Sequence, residues 1–299
     1  MKIRILLACM GIIFLVTAST VLNWKTAFST DDPDPTYKVY ALELPGKLSF
    51  AGEDIKLDRP DLQERLDREL LVNTYWQSNM ILLIKKANKY FPTIEGILEE
   101  EGIPEDFKYL AVIESGLANV RSPKGASGFW QIMRPTGREM GLEINSNVDE
   151  RYHLEMATRV ACKYLLKAKE KLGSWTLAAA AYNRGMSGIK RKLDTQQVDN
   201  YYDLYLRSET SRYMFRILAI KEIMKDPRRY GFVFQQKDLY NTTPTRKVGL
   251  DTAITNLSRF AKQMDIDYNQ LKRHNPWLLQ NHLNNKSRKF YEISLPTTK

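Results

Sequence analysis

The chain has 299 residues, room for about two domains at roughly 150 residues each. Hydrophobic residues at 43% and charged residues at 27% exclude a wholly disordered chain, a collagen-like fibre and a multi-pass membrane protein. Lys and Arg number 45 against 35 Asp and Glu, a formal net charge of +10; without Lys2, Arg4 and Lys25 of the acid-free first thirty residues it is +7. A basic body of that kind suits an anionic partner, either nucleic acid or an acidic cell-wall polymer.

Met1-Lys2-Ile3-Arg4 is a short positive start, and residues 5–22 carry no charge. Residues 1–28 therefore read as an export signal or a single N-terminal membrane anchor. Eighteen uncharged residues are just enough to span a bilayer, so length leaves cleavage open. Leu6-Leu7-Ala8-Cys9 has the order of a lipid-attachment box, with almost no apolar run before it. Cys9 lies in this leader, so the rest of the chain holds only Cys162 and closes no intramolecular disulfide. Residues 29–60 are expected to be a tether and irregular lead-in, with Pro45-Gly46 as a turn. The body is thus expected outside the cytoplasm, in the periplasm or cell envelope, where no nucleic acid would meet it.

Helical signals then dominate. Leu62, Leu66, Leu70 and Tyr75 have helical spacing within residues 62–83, and a second helix is predicted to stop at Pro92. A short helix over residues 94–101 ends at Gly102, and Pro104 with Glu105-Asp106 opens another that ends near Ser115-Gly116. Residues 155–172 form a long amphipathic helix stopped by Gly173, and Ser174 caps the next, over residues 175–182. A last strong helix covers residues 209–225 before Asp226-Pro227. Residues 61–235 are accordingly expected to form an all-α domain. His153, His274 and His282 lie far apart, with packing or surface roles as their default, and no zinc-ligand cluster or nucleotide-type glycine loop occurs, so neither metal nor cofactor is expected.

One carboxylate breaks the pattern. Ile103, Phe107, Leu110, Glu114 and Leu117 follow steps of three and four, which puts Glu114 on the apolar face of its helix. Desolvation there favours the neutral acid, and the helix C-terminus pushes the same way. A carboxylic acid held protonated is what a general acid at a glycosidic oxygen needs. The plain alternative is a helix-end Glu that swings into water. After it come Ser122-Pro123-Lys124-Gly125-Ala126-Ser127-Gly128-Phe129-Trp130-Gln131, a glycine-rich loop with two aromatic rings and an amide. Phe129 and Trp130 either offer surfaces for sugar rings or fill a gap under the loop.

As an ordered pattern these residues are more specific. Together with Ala178-Ala179-Ala180-Ala181-Tyr182-Asn183-Arg184-Gly185 and Glu209-Thr210-Ser211-Arg212-Tyr213, the sequence resembles the goose-type-lysozyme-like catalytic domain of the soluble lytic transglycosylase superfamily. Asp149-Glu150-Arg151-Tyr152 and Gly173-Ser174-Trp175-Thr176-Leu177 look most like its membrane-bound lytic transglycosylase D branch. The resemblance implies a lysozyme-like fold and a substrate of peptidoglycan glycan strands. It implies cleavage of the bond between N-acetylmuramic acid and N-acetylglucosamine with a 1,6-anhydromuramyl product. By the same resemblance Glu114 is the catalytic acid and base, and Ser122, Gln131, Tyr182, Asn183 and Tyr213 border the substrate, with Glu209 supporting that region. Asn-Pro often follows Glu-Ser in the family, whereas Ala118-Asn119-Val120 stands here, which weakens the match of Ser122.

Each role has a plainer counterpart: Tyr182 as core with a satisfied hydroxyl, and Glu209 with Arg212 as an exposed ion pair. Two rivals stay open: a muramidase that uses water, and a glycan-binding wall protein that does not cut. Asp149 and Glu150 are the candidates for a second carboxylate, in a stretch the family uses structurally. Residues 240–299 form a small α/β segment. Its helices near Leu257 and Tyr268, Asn275-Pro276 and a final strand before Pro296 resemble a worn LysM module, or else a packing appendage.

Overall fold

The computed structural model describes residues 39–297, so the predicted leader lies outside the described residues. Met1–Ala41 and Leu42–Lys299 are two separate units, and every described helix and strand belongs to the second. Among the described residues no helix is long and apolar enough to cross a membrane.

Within the expected lead-in, Leu48–Phe50 (β1) and Glu53–Ile55 (β2) pair antiparallel around Ala51-Gly52, both at positive φ. Burial drives this hairpin. Phe50 is fully buried, edge-on to Phe107 at 5.0 Å between centroids, and Phe107 in turn meets Trp175 at 5.3 Å. Polar ties fix the hairpin's height: Ala51 N donates to Asp106 Oδ2 at 2.7 Å, and Lys221 Nζ reaches both Asp106 (2.8 Å) and Ser49 O (2.7 Å).

Pro60–Tyr75 (α1) buries Leu62, Leu66 and Leu70 as their spacing predicts, and Trp76 interrupts the helix before Gln77–Glu100 (α2). Here the structure differs from expectation. Pro92 does not end a helix; α2 runs through it as one element. Met80, Leu83, Ile84 and Ala87 before Pro92, and Ile94, Ile97 and Leu98 after it, are buried alike. Burial of one continuous apolar face outweighs the hydrogen bond that proline removes.

Lys108–Ser115 (α3) follows a single turn of 3₁₀ helix and ends at Gly116 in the left-handed conformation. Arg134–Glu139 (α4) is short; Leu154–Leu172 (α5) ends at left-handed Gly173. Ser174 caps Trp175–Arg184 (α6) by accepting from Leu177 N at 3.0 Å. Met186–Gln196 (α7), which the sequence did not announce, packs beside α6 and buries only Ile189 and Leu193. Ser208–Lys225 (α8) lies along α1 and also contacts α3 and α6. Arg212 does not pair with Glu209. Its guanidinium binds buried Glu69 of α1 at 2.6 Å, which ties α8 to α1.

Thr245–Leu250 (β3), Leu257–Gln263 (α9), Tyr268–His274 (α10) and Tyr291–Pro296 (β4) complete the chain, β3 and β4 pairing antiparallel in one small sheet. These elements have their own core, including Leu257, Leu271, Trp277, Ile293 and Leu295, joined by Val148 from the helical part. The helical part and this α/β part meet along residues 143–155. Asp149 N donates to Trp277 O (3.0 Å), Leu279 N to Asn147 O (2.9 Å), and Lys289 Nζ binds Glu143 (2.8 Å) and Glu150 (2.6 Å).

Candidate functional site

Glu114 sits in the last turn of α3, on the stripe that buries Phe107, Leu110 and Leu117. It is half-buried, and Tyr213 of α8 donates its hydroxyl to Glu114 Oε1 at 2.5 Å. Burial raises the carboxyl above its ordinary range, and the nearby negative charge of Glu209 adds to the rise; the Tyr213 hydroxyl and the Arg216 guanidinium oppose it. Arg216, one turn beyond Tyr213, donates to Ile113 O at 3.0 Å. No sequence motif flagged it; its only signal is the helical step of three from Tyr213.

Tyr182 and Asn183 come from the end of α6. The Tyr182 hydroxyl donates to Trp130 O at 2.8 Å, and its ring meets Tyr164 edge-on at 5.4 Å. The negative charge of Glu114 reaches both Tyr182 and Tyr213 and helps hold their hydroxyls protonated, though burial is the larger cause. Asn183 bridges to the start of α8: its Oδ1 accepts from Thr210 Oγ1 at 2.9 Å and its Nδ2 donates to Glu209 Oε1 at 3.4 Å. Glu114, Tyr182, Asn183, Glu209, Tyr213 and Arg216 are thereby assembled from three helices.

The loop after Gly116 forms another side of the site. Ser115 Oγ donates to Phe129 O at 2.8 Å and Lys86 Nζ to Gly116 O at 2.8 Å, which fixes where the loop leaves the helix. Phe129 and Trp130 are buried, and Trp130 Nε1 donates to Thr158 Oγ1 at 2.8 Å. Trp130 fills the space under the loop, and Phe129 packs edge-on against Tyr90 with 4.8 Å between ring centroids. Gln131, at positive φ, donates Nε2 to Val120 O (3.0 Å) and Gly128 O (2.8 Å), bracing the loop. Ser122 does not join the Glu114 group; its Oγ accepts from Ala126 N at 3.0 Å and closes the turn.

Arg151 is the hidden anchor of that loop. Buried beneath it, its guanidinium donates to Gly125 O (2.9 Å) and Ile132 O (3.0 Å) and grips Asp149 with two bonds of 2.9 and 2.7 Å. Asp149 and Glu150 are thus committed, the first to Arg151, the second to Lys289 and Glu143 N. Both carboxylates are held within the fold, as the resemblance implied for that stretch. No group of three or more metal-ligating side chains occurs among the described residues.

Parts of the chain match known proteins in sequence. Residues 93–204 match the family described as transglycosylase SLT domain, and residues 246–299 match the soluble lytic transglycosylase C-terminal LysM-like domain. The membrane-bound lytic murein transglycosylases D of Escherichia coli K12 and of Escherichia coli O6:H1 are each 25% identical to this chain over 236 residues, 76% of this chain and 51% of theirs. The chain spans about half the length of these curated relatives. An X-ray structure of an inactive mutant of the lytic transglycosylase Slt from Pseudomonas aeruginosa is 18% identical, covering 50% of this chain and 26% of that one at a TM-score of 0.36. The similarity thus covers a transglycosylase SLT domain at residues 93–204, followed by a soluble lytic transglycosylase C-terminal LysM-like domain at residues 246–299.

Proposed function

We propose that the chain is a peptidoglycan lytic transglycosylase of the cell envelope, with residues 61–235 as its catalytic domain and Glu114 as the single acid and base. The observation that carries this is the Glu114–Tyr213 pair at 2.5 Å on a buried helix face, with Asp149 and Glu150 tied to cationic partners. Protonated Glu114 gives its proton to the oxygen linking N-acetylmuramic acid to N-acetylglucosamine, and the bond from that oxygen to the muramyl C1 breaks. The C6 hydroxyl oxygen of the same sugar bonds to C1, and Glu114, now ionised, takes the hydroxyl proton. No water enters, and the glutamic acid ends as it began. The intramolecular nucleophile carries a large effective-molarity advantage over solvent. Tyr213 and Arg216 stabilise the ionised form of Glu114 midway, while burial favours the protonated form. The curated relatives are named membrane-bound, and the apolar leader fits the same placement.

Digestion of purified sacculi and mass analysis of the products test the reaction. Muropeptides lighter by one water than their hydrolysed counterparts are expected; hydrolysed ends alone would make the chain a muramidase. Glu209 is the observation that keeps the hydrolytic reading in view, since its charge is felt at Glu114.

The same site predicts two opposite pH shifts. Activity needs protonated Glu114, so the rate falls as pH rises through its raised pKa. Tyr213→Phe removes a hydrogen bond that favours the carboxylate, and the alkaline limb of kcat/KM is expected to move to higher pH. Glu209→Gln removes a repelling charge, and the limb is expected to move to lower pH. Profiles that shift in the same direction would contradict the assignment of Glu114 as the titrating acid.

A further inference from the structure

A second cavity lies away from the Glu114 carboxyl, where the helical part meets the α/β part. Its volume is about 460 Å³. One wall comes from α2 with Lys89, Tyr90 and Thr93; the facing wall comes from α10, with Gln270, Arg273 and His274. Trp277 and Phe129 close its depth.

Its charge is one-sided. Lys89 and Arg273 form no ion pair among the described residues, and both are close enough to His274 to disfavour its protonation. Arg273 also acts on the Tyr90 hydroxyl, and Lys89 Nζ lies 5.2 Å from the Tyr90 ring centroid. The acid in the lining, Glu155, is taken by Lys247 at 2.9 Å. Two cations outside any ion pair, Lys89 and Arg273, beside the neutral donor of His274 leave a site for an anion. His153 also lines the cavity, its Nδ1 enclosed without a hydrogen-bond partner. Thr93, Asn119 and Gln270 add neutral donors and acceptors of the kind that pair with peptide groups.

The cavity also touches the catalytic loop. Phe129, whose carbonyl accepts from Ser115 beside Glu114, lines it, as does Asn119 of the same loop. The loop beside Glu114 thus forms part of the cavity wall, and a four-residue substituent on a glycan at Glu114 has a reach of about 14 Å when extended.

We infer that this cavity binds the carboxylate-bearing stem peptide of a peptidoglycan strand whose sugar backbone lies at Glu114, with Lys89, Arg273 and His274 receiving the anion. The inference rests on the proposed substrate, and it makes the α/β part a reader of peptide-bearing glycan.

The test separates binding from turnover. The full chain is titrated calorimetrically with a disaccharide tetrapeptide, with the same disaccharide stripped of peptide, and with the free tetrapeptide. Wild type is expected to bind the peptide-bearing ligand at least tenfold more tightly than the bare disaccharide, with affinity falling as salt rises. The double variant Lys89→Glu, Arg273→Glu is expected to lose that tenfold preference while cleaving peptide-free glycan strands at the wild-type rate. Arg273 is exposed and Lys89 half-buried, so charge reversal leaves the core intact; an unchanged thermal midpoint checks this. Equal affinity of wild type and double variant for the peptide-bearing ligand would overturn the inference, as would equal loss for the bare disaccharide. A chain that shows the peptide preference yet releases no anhydro-sugars keeps this cavity and loses the proposed reaction instead.

Discussion

Glu114→Gln is expected to lower release of anhydro-muropeptides by about 10³-fold, a typical magnitude for a single group that acts as both general acid and general base. Glutamine keeps the shape and can still accept from the Tyr213 hydroxyl that lies 2.5 Å from Glu114 Oε1. It has no proton to give and no charge to recover one. Binding of glycan is therefore expected to persist while turnover disappears, which separates this prediction from one of misfolding. Stability supplies a second readout. Glu114 has a pKa raised by burial, so its contribution to stability is fully present below the pKa of the unfolded chain and is lost as pH rises through the folded value. Glutamine does not titrate. The variant is expected to lose less stability than wild type between acid and neutral pH, measured by urea unfolding at both. A variant with undiminished release of anhydro-sugars would remove Glu114 from the chemistry.

Gly128→Ala is expected to cost about 3 kcal/mol of stability and most of the activity, from overpacking against backbone together with left-handed strain. Gly128 lies at φ +81°, and a Cβ there would stand 1.9 Å from the carbonyl oxygen of Arg151. That neighbour is backbone and cannot rotate aside. It also belongs to the residue whose guanidinium holds Gly125 O and Ile132 O, so a shift of Arg151 loosens both sides of the loop at once. A two-state urea titration and a glycan-cleavage assay on the same preparation check the pair of effects. Gly125, with open space where a Cβ would go, serves as a control: its alanine variant bears the φ strain without the clash.

The helix that carries Glu114 was legible because its signals were local and agreed with one another. The apolar stripe from Ile103 to Leu117 is buried as its spacing required, with Glu114 half-buried on it, and Ser174 caps the helix it precedes. The ordered motifs brought Glu114, Tyr182, Asn183 and Tyr213 to one place across a hundred residues of chain. What escaped depended on partners distant in sequence. Pro92 reads as a stop until the buried residues on both sides of it are seen to share one core. The β1–β2 hairpin turns on Ala51-Gly52, a weaker signal than Asn-Gly, and is held by Asp106 and Lys221. The aromatic pair Phe129-Trp130 suited a sugar platform by composition alone; only the packing of Trp130 onto Thr158 assigns it to the interior. Arg216 and the loop anchor Arg151 work through backbone carbonyls, which leave no trace in side-chain patterns.

The junction at residues 149–151 has a consequence for the tail. Asp149 N is bonded to Trp277 O, Glu150 is neutralised by Lys289, and Arg151 reaches from the same short turn into the loop beside Glu114. Cutting the chain after residue 240 would strip a counter-ion from a carboxylate that is 2% exposed and slacken the one turn that props the loop. The last sixty residues therefore buttress the loop beside Glu114, and a shortened protein is expected to unfold at lower urea concentration than the full chain.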